Sequence, residues 1–144
     1  MDVLSERRRA LMGVRGGPSN GFVNGVYPDR NGGSTTVTNG NTFTLDGNMS
    51  YYLDVQIPLI ESVPVLSSGT MSFTPNKSQT GCTVYVWYLD GGRISISINI
   101  NADVTQTLEI PAGKTVIAAG IISSNAWDDV DIVWSLEADG VTIF

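Results

Sequence analysis

The run from Ile94 to Ile100 constrains the fold of this chain more than any other segment. Isoleucine stands at every second position, and serine or asparagine fills the positions between. A period of two places the isoleucines on one face of an extended strand and the polar residues on the other. This pattern predicts a half-buried β-strand, and no helical pattern interrupts the strand signals that surround it.

Further short runs rich in β-branched and aromatic residues are spaced by turn signals such as Asn39-Gly40 and Asp90-Gly91-Gly92. Strands spaced in this way predict a sandwich or a barrel. The chain lacks the Cys…Trp…Cys framework of a true immunoglobulin domain, which favours a jelly roll. We therefore expect an all-β fold, an antiparallel, jelly-roll-like β-sandwich. The predicted strands are 35–38, 42–45, 51–57, 70–74, 83–89, 94–100, 105–110, 115–122, 130–136 and 141–144.

The N-terminal region differs from the rest in composition. Residues 3–12 are the one good helix candidate, and Gly13 ends the run. A helix of this length is marginal by itself and needs a partner surface. Eight of the sixteen glycines then fall between Gly16 and Gly47. We predict an anchoring arm, as a short helix or an extended segment, with a Gly-rich linker over residues 1–33, followed by the sandwich over 34–144.

Charge is distributed unevenly along the chain, whose formal net charge is −6. Residues 1–30 hold five arginines against three acidic residues, which gives 5 − 3 = +2. Residues 31–144 hold three basic residues against eleven acidic ones, which gives 3 − 11 = −8. An acidic body repels phosphate backbones, so we expect no nucleic-acid binding by the body. The basic arm can contact a nucleic acid or an acidic protein surface.

Several kinds of chemistry are excluded by residue types that the chain lacks. Histidine is absent, which rules out Ser–His–Asp and Cys–His sites. Cys82 is the only cysteine, so neither an intrachain disulfide nor a cysteine metal cluster can form, and we interpret it as a small buried filler. The carboxylates show no spacing that singles out a catalytic pair. We expect a protein that is not an enzyme and needs no cofactor.

Targeting signals are also missing from the sequence. No stretch approaches the length of a membrane span, so we expect no membrane partner. The first twelve residues lack the apolar core of a secretory signal. We therefore expect synthesis in a cytosol.

The densest acidic segment supplies weak candidates for a metal site, namely Asp128, Asp129 and Asp131. Calcium needs six to eight oxygen ligands, and acidic loops of sandwich lectins can provide them. The alternative, a solvated turn without a metal, is favoured.

Two tryptophans are candidates for sugar binding, which uses aromatic side chains as platforms. Strand 83–89 carries Trp87 on the face opposite Val84 and Val86, and Trp127 stands beside a turn. Trp127 is the better exposed candidate. Trp134 alternates with apolar residues and is expected in the core.

The segment Leu-Ser-Glu-Arg-Arg-Arg-Ala-Leu-Met, residues 4–12, precedes a Gly-rich stretch and resembles the start of small phage and prophage structural proteins. In those proteins a short Arg-rich leader precedes a lectin-like or fibre-like β-sandwich. The segment Thr-Leu-Glu-Ile-Pro-Ala-Gly, residues 107–113, is similar to strand-turn segments of viral and carbohydrate-binding sandwiches. A solvated helix face is the competing interpretation of the arginine run.

This resemblance implies a virion protein that is made in the host cytoplasm, such as a capsid decoration, head-fibre or tail-associated subunit. It further implies a homo-oligomer that docks to other virion proteins through its arm. The alternative is a carbohydrate-binding or host-adhesion module that contacts a host-surface glycan. The expected docking residues are Leu4, Arg7, Arg8, Arg9, Leu11 and Met12.

Overall fold

The computed structural model describes residues 20–49 and 55–144. The helix expected over residues 3–12, and with it the six expected docking residues, lie outside the described residues. Eleven strands are found in the described ranges. They are β1 (Gly25–Pro28), β2 (Ser34–Thr38), β3 (Thr42–Gly47), β4 (Ile57–Pro64), β5 (Gly69–Pro75), β6 (Gln79–Tyr88), β7 (Arg93–Ile100), β8 (Gln106–Ile110), β9 (Thr115–Ser123), β10 (Trp127–Ala138) and β11 (Val141–Thr142).

The strands form two antiparallel sheets that pack against each other. The larger sheet has the order β1-β2-β3-β10-β5-β8, with β11 beside β10, and the smaller one has the order β4-β9-β6-β7. The four strands β3-β10-β5-β8 and the four strands β4-β9-β6-β7 make the two halves of an eight-stranded jelly roll. The predicted all-β sandwich is confirmed, and β1 and β2 extend the larger sheet beyond the jelly roll.

An aromatic cluster around Trp134 fills part of the core between the sheets. The Trp134 ring lies with its centroid 4.9 Å from that of Phe43 and 5.3 Å from that of Phe73. Phe22 approaches Trp134 edge-on at 5.9 Å. All four side chains are almost completely buried, which confirms the predicted core position of Trp134.

The alternating run from Ile94 to Ile100 forms most of β7, an edge strand of the smaller sheet. Its isoleucines pack against the core, whereas Ser95 and Ser97 are exposed on the opposite face. The predicted division of the two faces is confirmed.

The sandwich begins earlier in the chain than the boundary after residue 33 that the sequence predicted. Phe22 is fully buried in the core and bridges to Leu59 of β4. The N–H of Ile60 donates to the carbonyl of Gly21 at 2.8 Å, and β1 pairs with β2. The high glycine content predicted a linker. However, the free energy gained by burying the Phe22 ring offsets the conformational entropy that the glycines lose when this segment becomes ordered.

Strand β4 also differs from its predicted position. The sequence placed a strand over residues 51–57 that stopped at Pro58, and residues 51–54 of it lie outside the described residues. In the described part of the chain, β4 begins at Ile57 and continues through Pro58 to Pro64. Pro58 lacks an N–H, but its carbonyl accepts a hydrogen bond of 2.9 Å from the N–H of Val23. A proline is tolerated here because β4 lies at the border of its sheet.

Candidate functional site

Strand β6 presents two aromatic side chains on the outer face of the smaller sheet. Val84 and Val86 point into the core, so the residues between and after them point outward. The rings of Tyr85 and Trp87 stack there, with centroids 5.4 Å apart and planes inclined by 20°. The outward position of Trp87 agrees with the predicted alternation.

Trp87 is only 7% exposed although it points away from the core. The neighbouring strand β9 has Gly120 beneath the ring, where a Cβ atom would lie 3.3 Å from two ring carbons. Ala118, also small and buried, stands opposite Trp87 in the register of β6 and β9. The small side chains at these two positions let the indole lie close to β9.

Polar side chains of β7 lie beside this aromatic pair. Arg93 is the register partner of Trp87, and its guanidinium carbon lies 5.8 Å from the centre of the Tyr85 ring. Ser95 stands opposite Tyr85, and Ser97 stands opposite Thr83. We call these six residues (Thr83, Tyr85, Trp87, Arg93, Ser95 and Ser97) the outer aromatic face.

The outer aromatic face continues into an open depression lined in part by Gly81, Thr83, Ser97 and Asn99. Together, the outer aromatic face and this depression combine aromatic rings with hydroxyl, amide and guanidinium groups. Rings that stack on sugar CH groups, with polar groups that bond sugar hydroxyls, are the usual elements of carbohydrate recognition.

The expectation that Trp127 is exposed is wrong. Trp127 is 2% exposed and belongs to the core, opposite Gly47 of β3. A β-bulge between Trp127 and Val130 shifts the register. Both residues therefore point inward, although the intervening Asp128 and Asp129 are exposed. The nearby turn suggested exposure, but the bulge directs the indole into the core.

The bulge also determines which acidic residues come together. Asp128 and Asp129 meet Asp46 of β3, and one carboxylate oxygen of each lies within 4.8 Å of the others. Asp131 does not join them, because its carboxylate accepts a hydrogen bond of 2.6 Å from the Thr44 hydroxyl. Asp46 was missed because only the register of β3 and β10 brings it close.

This acidic group has one cation beside it. The Lys77 ammonium donates a hydrogen bond of 2.9 Å to the backbone carbonyl of Asp128. All three carboxylates are exposed to solvent. Exposed carboxylates with a neighbouring ammonium fit the solvated turn that the sequence favoured, and the cluster alone does not define a metal site.

Cys82 is 1% exposed, which confirms the buried position predicted from the sequence. Burial raises the pKa of the Cys82 thiol to about 11, against the opposing effect of hydrogen bonds from Ser123 and the Ile100 backbone. A thiol with this pKa is almost entirely protonated at neutral pH, so it is a poor nucleophile.

No protein-family model, curated protein or solved structure matches this chain. In the ranges that the structure describes, no helix has the length and apolar character needed to cross a bilayer.

Proposed function

We propose that this chain is a structural subunit of a phage particle, as a capsid decoration, head-fibre or tail-associated protein. The observation that carries the proposal is the jelly-roll strand order, with β3-β10-β5-β8 packed on β4-β9-β6-β7. Viral capsid proteins and lectins use this architecture repeatedly. The resemblance of residues 4–12 to the leaders of phage structural proteins supports the same assignment.

The distribution of charge supports docking through the leader. Residues 1–19 contain four arginines and two acidic residues, a balance of 4 − 2 = +2, whereas residues 31–144 carry −8. Complementary charge steers docking between protein surfaces and disfavours wrong orientations. A basic leader on an acidic body would place the leader, and not the sandwich, against an acidic particle surface.

The proposal is tested by deleting residues 1–15, which removes all six expected docking residues. The first buried core side chain described is Phe22, so the sandwich keeps its core. We expect the truncated chain to keep the β-sheet signal in its far-UV circular dichroism spectrum and its Tm, and to lose co-sedimentation with particles. A truncated chain that co-sediments like the full chain would contradict docking through the leader.

A matched pair of full-length variants tests whether docking depends on the charge of the leader and not only on its presence. Replacing Arg7, Arg8 and Arg9 with glutamate reverses the charge, and replacing them with lysine keeps it. We expect particle binding to be lost in the glutamate variant and largely retained in the lysine variant. Equal binding by both variants would show that charge does not direct the docking.

The outer aromatic face favours glycan binding as a second function, in line with a host-adhesion role. The stacked pair of Tyr85 and Trp87, with Arg93 beside it, is the observation that favours it. Trp127 is not part of the proposed glycan site, because it is a core residue. Trp87 is almost fully buried whereas Tyr85 is partly exposed, so Tyr85 is the ring that we expect to contact a sugar.

Glycan binding is tested on a glycan array with the full chain. We expect Tyr85→Ala and Trp87→Ala to abolish a signal that the unchanged chain gives, and the exposed Val133→Ala on the other sheet to keep it. The absence of any signal for the unchanged chain across the array would refute this second function.

A further inference from the structure

The strand edges of the two sheets differ in how they are protected. Unpaired N–H and C=O groups at an edge invite pairing with another chain, and proteins block this with prolines, charges, short strands or a covering segment. At β4, the edge is covered by hydrogen bonds from residues 21–23 and contains Pro58 and Pro64. Strand β1 has four residues and ends in Pro28, and β8 has five residues and carries Glu109.

Strand β7 has almost none of these protections. It is eight residues long, with the sequence RISISINI, and its one charged residue is Arg93 at the first position. Among the residues that the structure describes, no backbone hydrogen bond other than those of the β6 pairing reaches residues 94–98. Of the edge strands described, β7 is the one best suited to accept a further strand.

The inner side of this edge is also incompletely covered. Ile94, Ile96 and Ile98 point toward the core but remain half-buried, whereas Ile100 at the end of the strand is 1% exposed. The incompletely buried side chains form an apolar stripe along the edge. A strand that added to β7 would pair its backbone groups and cover this stripe at the same time.

We propose that β7 pairs antiparallel with β7 of a second copy of this chain, which joins two four-stranded sheets into one sheet of eight strands. The sequence of β7 is complementary to itself. A two-fold axis through Ile96 places Ile94 opposite Ile98, and an axis through Ser97 places Ile96 opposite Ile98. Either register keeps isoleucine against isoleucine on the inner side, as pairing across a sheet requires.

The self-complementary sequence of β7 favours a second copy of this chain as the occupant, and the charge distribution directs that contact to this edge. The chain has a net charge of −6, which opposes self-association over most of its surface. No acidic residue lies in β7, so like-charge repulsion is weakest along this edge. A two-fold arrangement also uses the same patch on both copies, as in the commonest kind of homodimer. The inference is independent of the proposed particle docking, since dimerisation uses β7 and docking uses the leader.

The test is the mass of the full chain in solution, measured by light scattering after size exclusion and by sedimentation equilibrium. We expect twice the 15.4 kDa of one chain. The double variant Ser95→Lys/Ser97→Lys places lysines opposite each other in either register, and both side chains are exposed, so folding is unaffected. We expect this variant to have the mass of one chain.

A matched control carries the same charges at the same spacing away from the edge. Val133→Lys/Ser135→Lys changes two exposed positions of β10, which has neighbours on both sides in the larger sheet. This control should remain a dimer. Mixing the Ser95→Lys/Ser97→Lys variant with Ser95→Glu/Ser97→Glu should restore a dimer, because opposite charges then face each other.

Three results would overturn the edge pairing. They are a single-chain mass for the unchanged protein into the high micromolar range, an oligomer that the lysine pair in β7 leaves intact, and a mixture of the two charged variants that stays monomeric. None of these results bears on particle docking, which is measured with the leader variants.

Discussion

The carboxylate of Asp139 accepts hydrogen bonds from both the backbone N–H and the hydroxyl of Ser67, at 2.7 and 2.9 Å. The N–H groups of Leu66 and Ser68 donate to the same carboxylate at 3.0 and 3.2 Å. These bonds connect the loop between β4 and β5 to the turn between β10 and β11. Asp139 and Gly140 have φ values of 54° and 79°, as a two-residue hairpin turn requires.

This arrangement predicts a specific dependence of stability on pH. The donors of residues 66–68 hold the pKa of Asp139 well below its usual range. Because the folded pKa lies below the unfolded value of about 3.9, the stabilisation is complete above that value and is lost as pH falls below it. We expect Asp139→Asn to lower the Tm at pH 7 and to weaken the decline of Tm on acidification. Identical Tm-against-pH curves for the two proteins would contradict this role of the carboxylate.

Truncation of Trp134, the central core residue, should strongly lower the free energy of unfolding. Trp134→Ala removes a ring that contacts several others in the core, and such a change costs about 3–5 kcal/mol of unfolding free energy. Val133→Ala, the adjacent residue on the exposed face of β10, should cost under about 1 kcal/mol. Urea unfolding measures both values. Similar losses for the two variants would contradict the assignment of faces in β10.

A methyl group at Gly120 should disturb the outer aromatic face. The added Cβ of Gly120→Ala would lie 2.5 Å from the Val55 carbonyl oxygen and 3.3 Å from the Trp87 ring. We expect a lower Tm and a shift of tryptophan fluorescence. Gly113→Ala is the control, since its Cβ has no atom within 4 Å and its φ of +86° alone adds strain. It should lower Tm without a fluorescence shift, and an unshifted spectrum for Gly120→Ala would argue against the contact.

The thiol of Cys82 should be inert in the folded protein. Its burial and raised pKa leave little thiolate at pH 8, so a disulfide reagent in excess should release no chromophore over minutes. In denaturant, one equivalent should react at once. Rapid reaction of the native protein would show that Cys82 is accessible.

The local features of the fold could be predicted from the sequence. The alternation in β7 and the turns at Asn39-Gly40 and Asp90-Gly91-Gly92 are each encoded in a few neighbouring residues. The core position of Trp134 followed from the same period of two. Such signals hold because strand period and turn conformation depend on adjacent residues alone.

Features that depend on distant residues could not be predicted. Phe22 joins the core through β4, and Asp46 meets Asp128 only through the register of β3 and β10. Trp127 points inward because of a β-bulge, and the residues next to it in the sequence carry no signal that predicts this bulge. In each case the position of a side chain is decided by strand pairing across many residues of sequence.

The measurement that tests the proposed function most directly is the protein content of purified phage particles. Particles are released from cells that express either the full chain or the chain without residues 1–15, purified on a density gradient and analysed by mass spectrometry. The proposal predicts the full chain in the particle fraction and the truncated chain only in the free fraction. A full chain absent from the particles, or a truncated chain present at the same level, would contradict it.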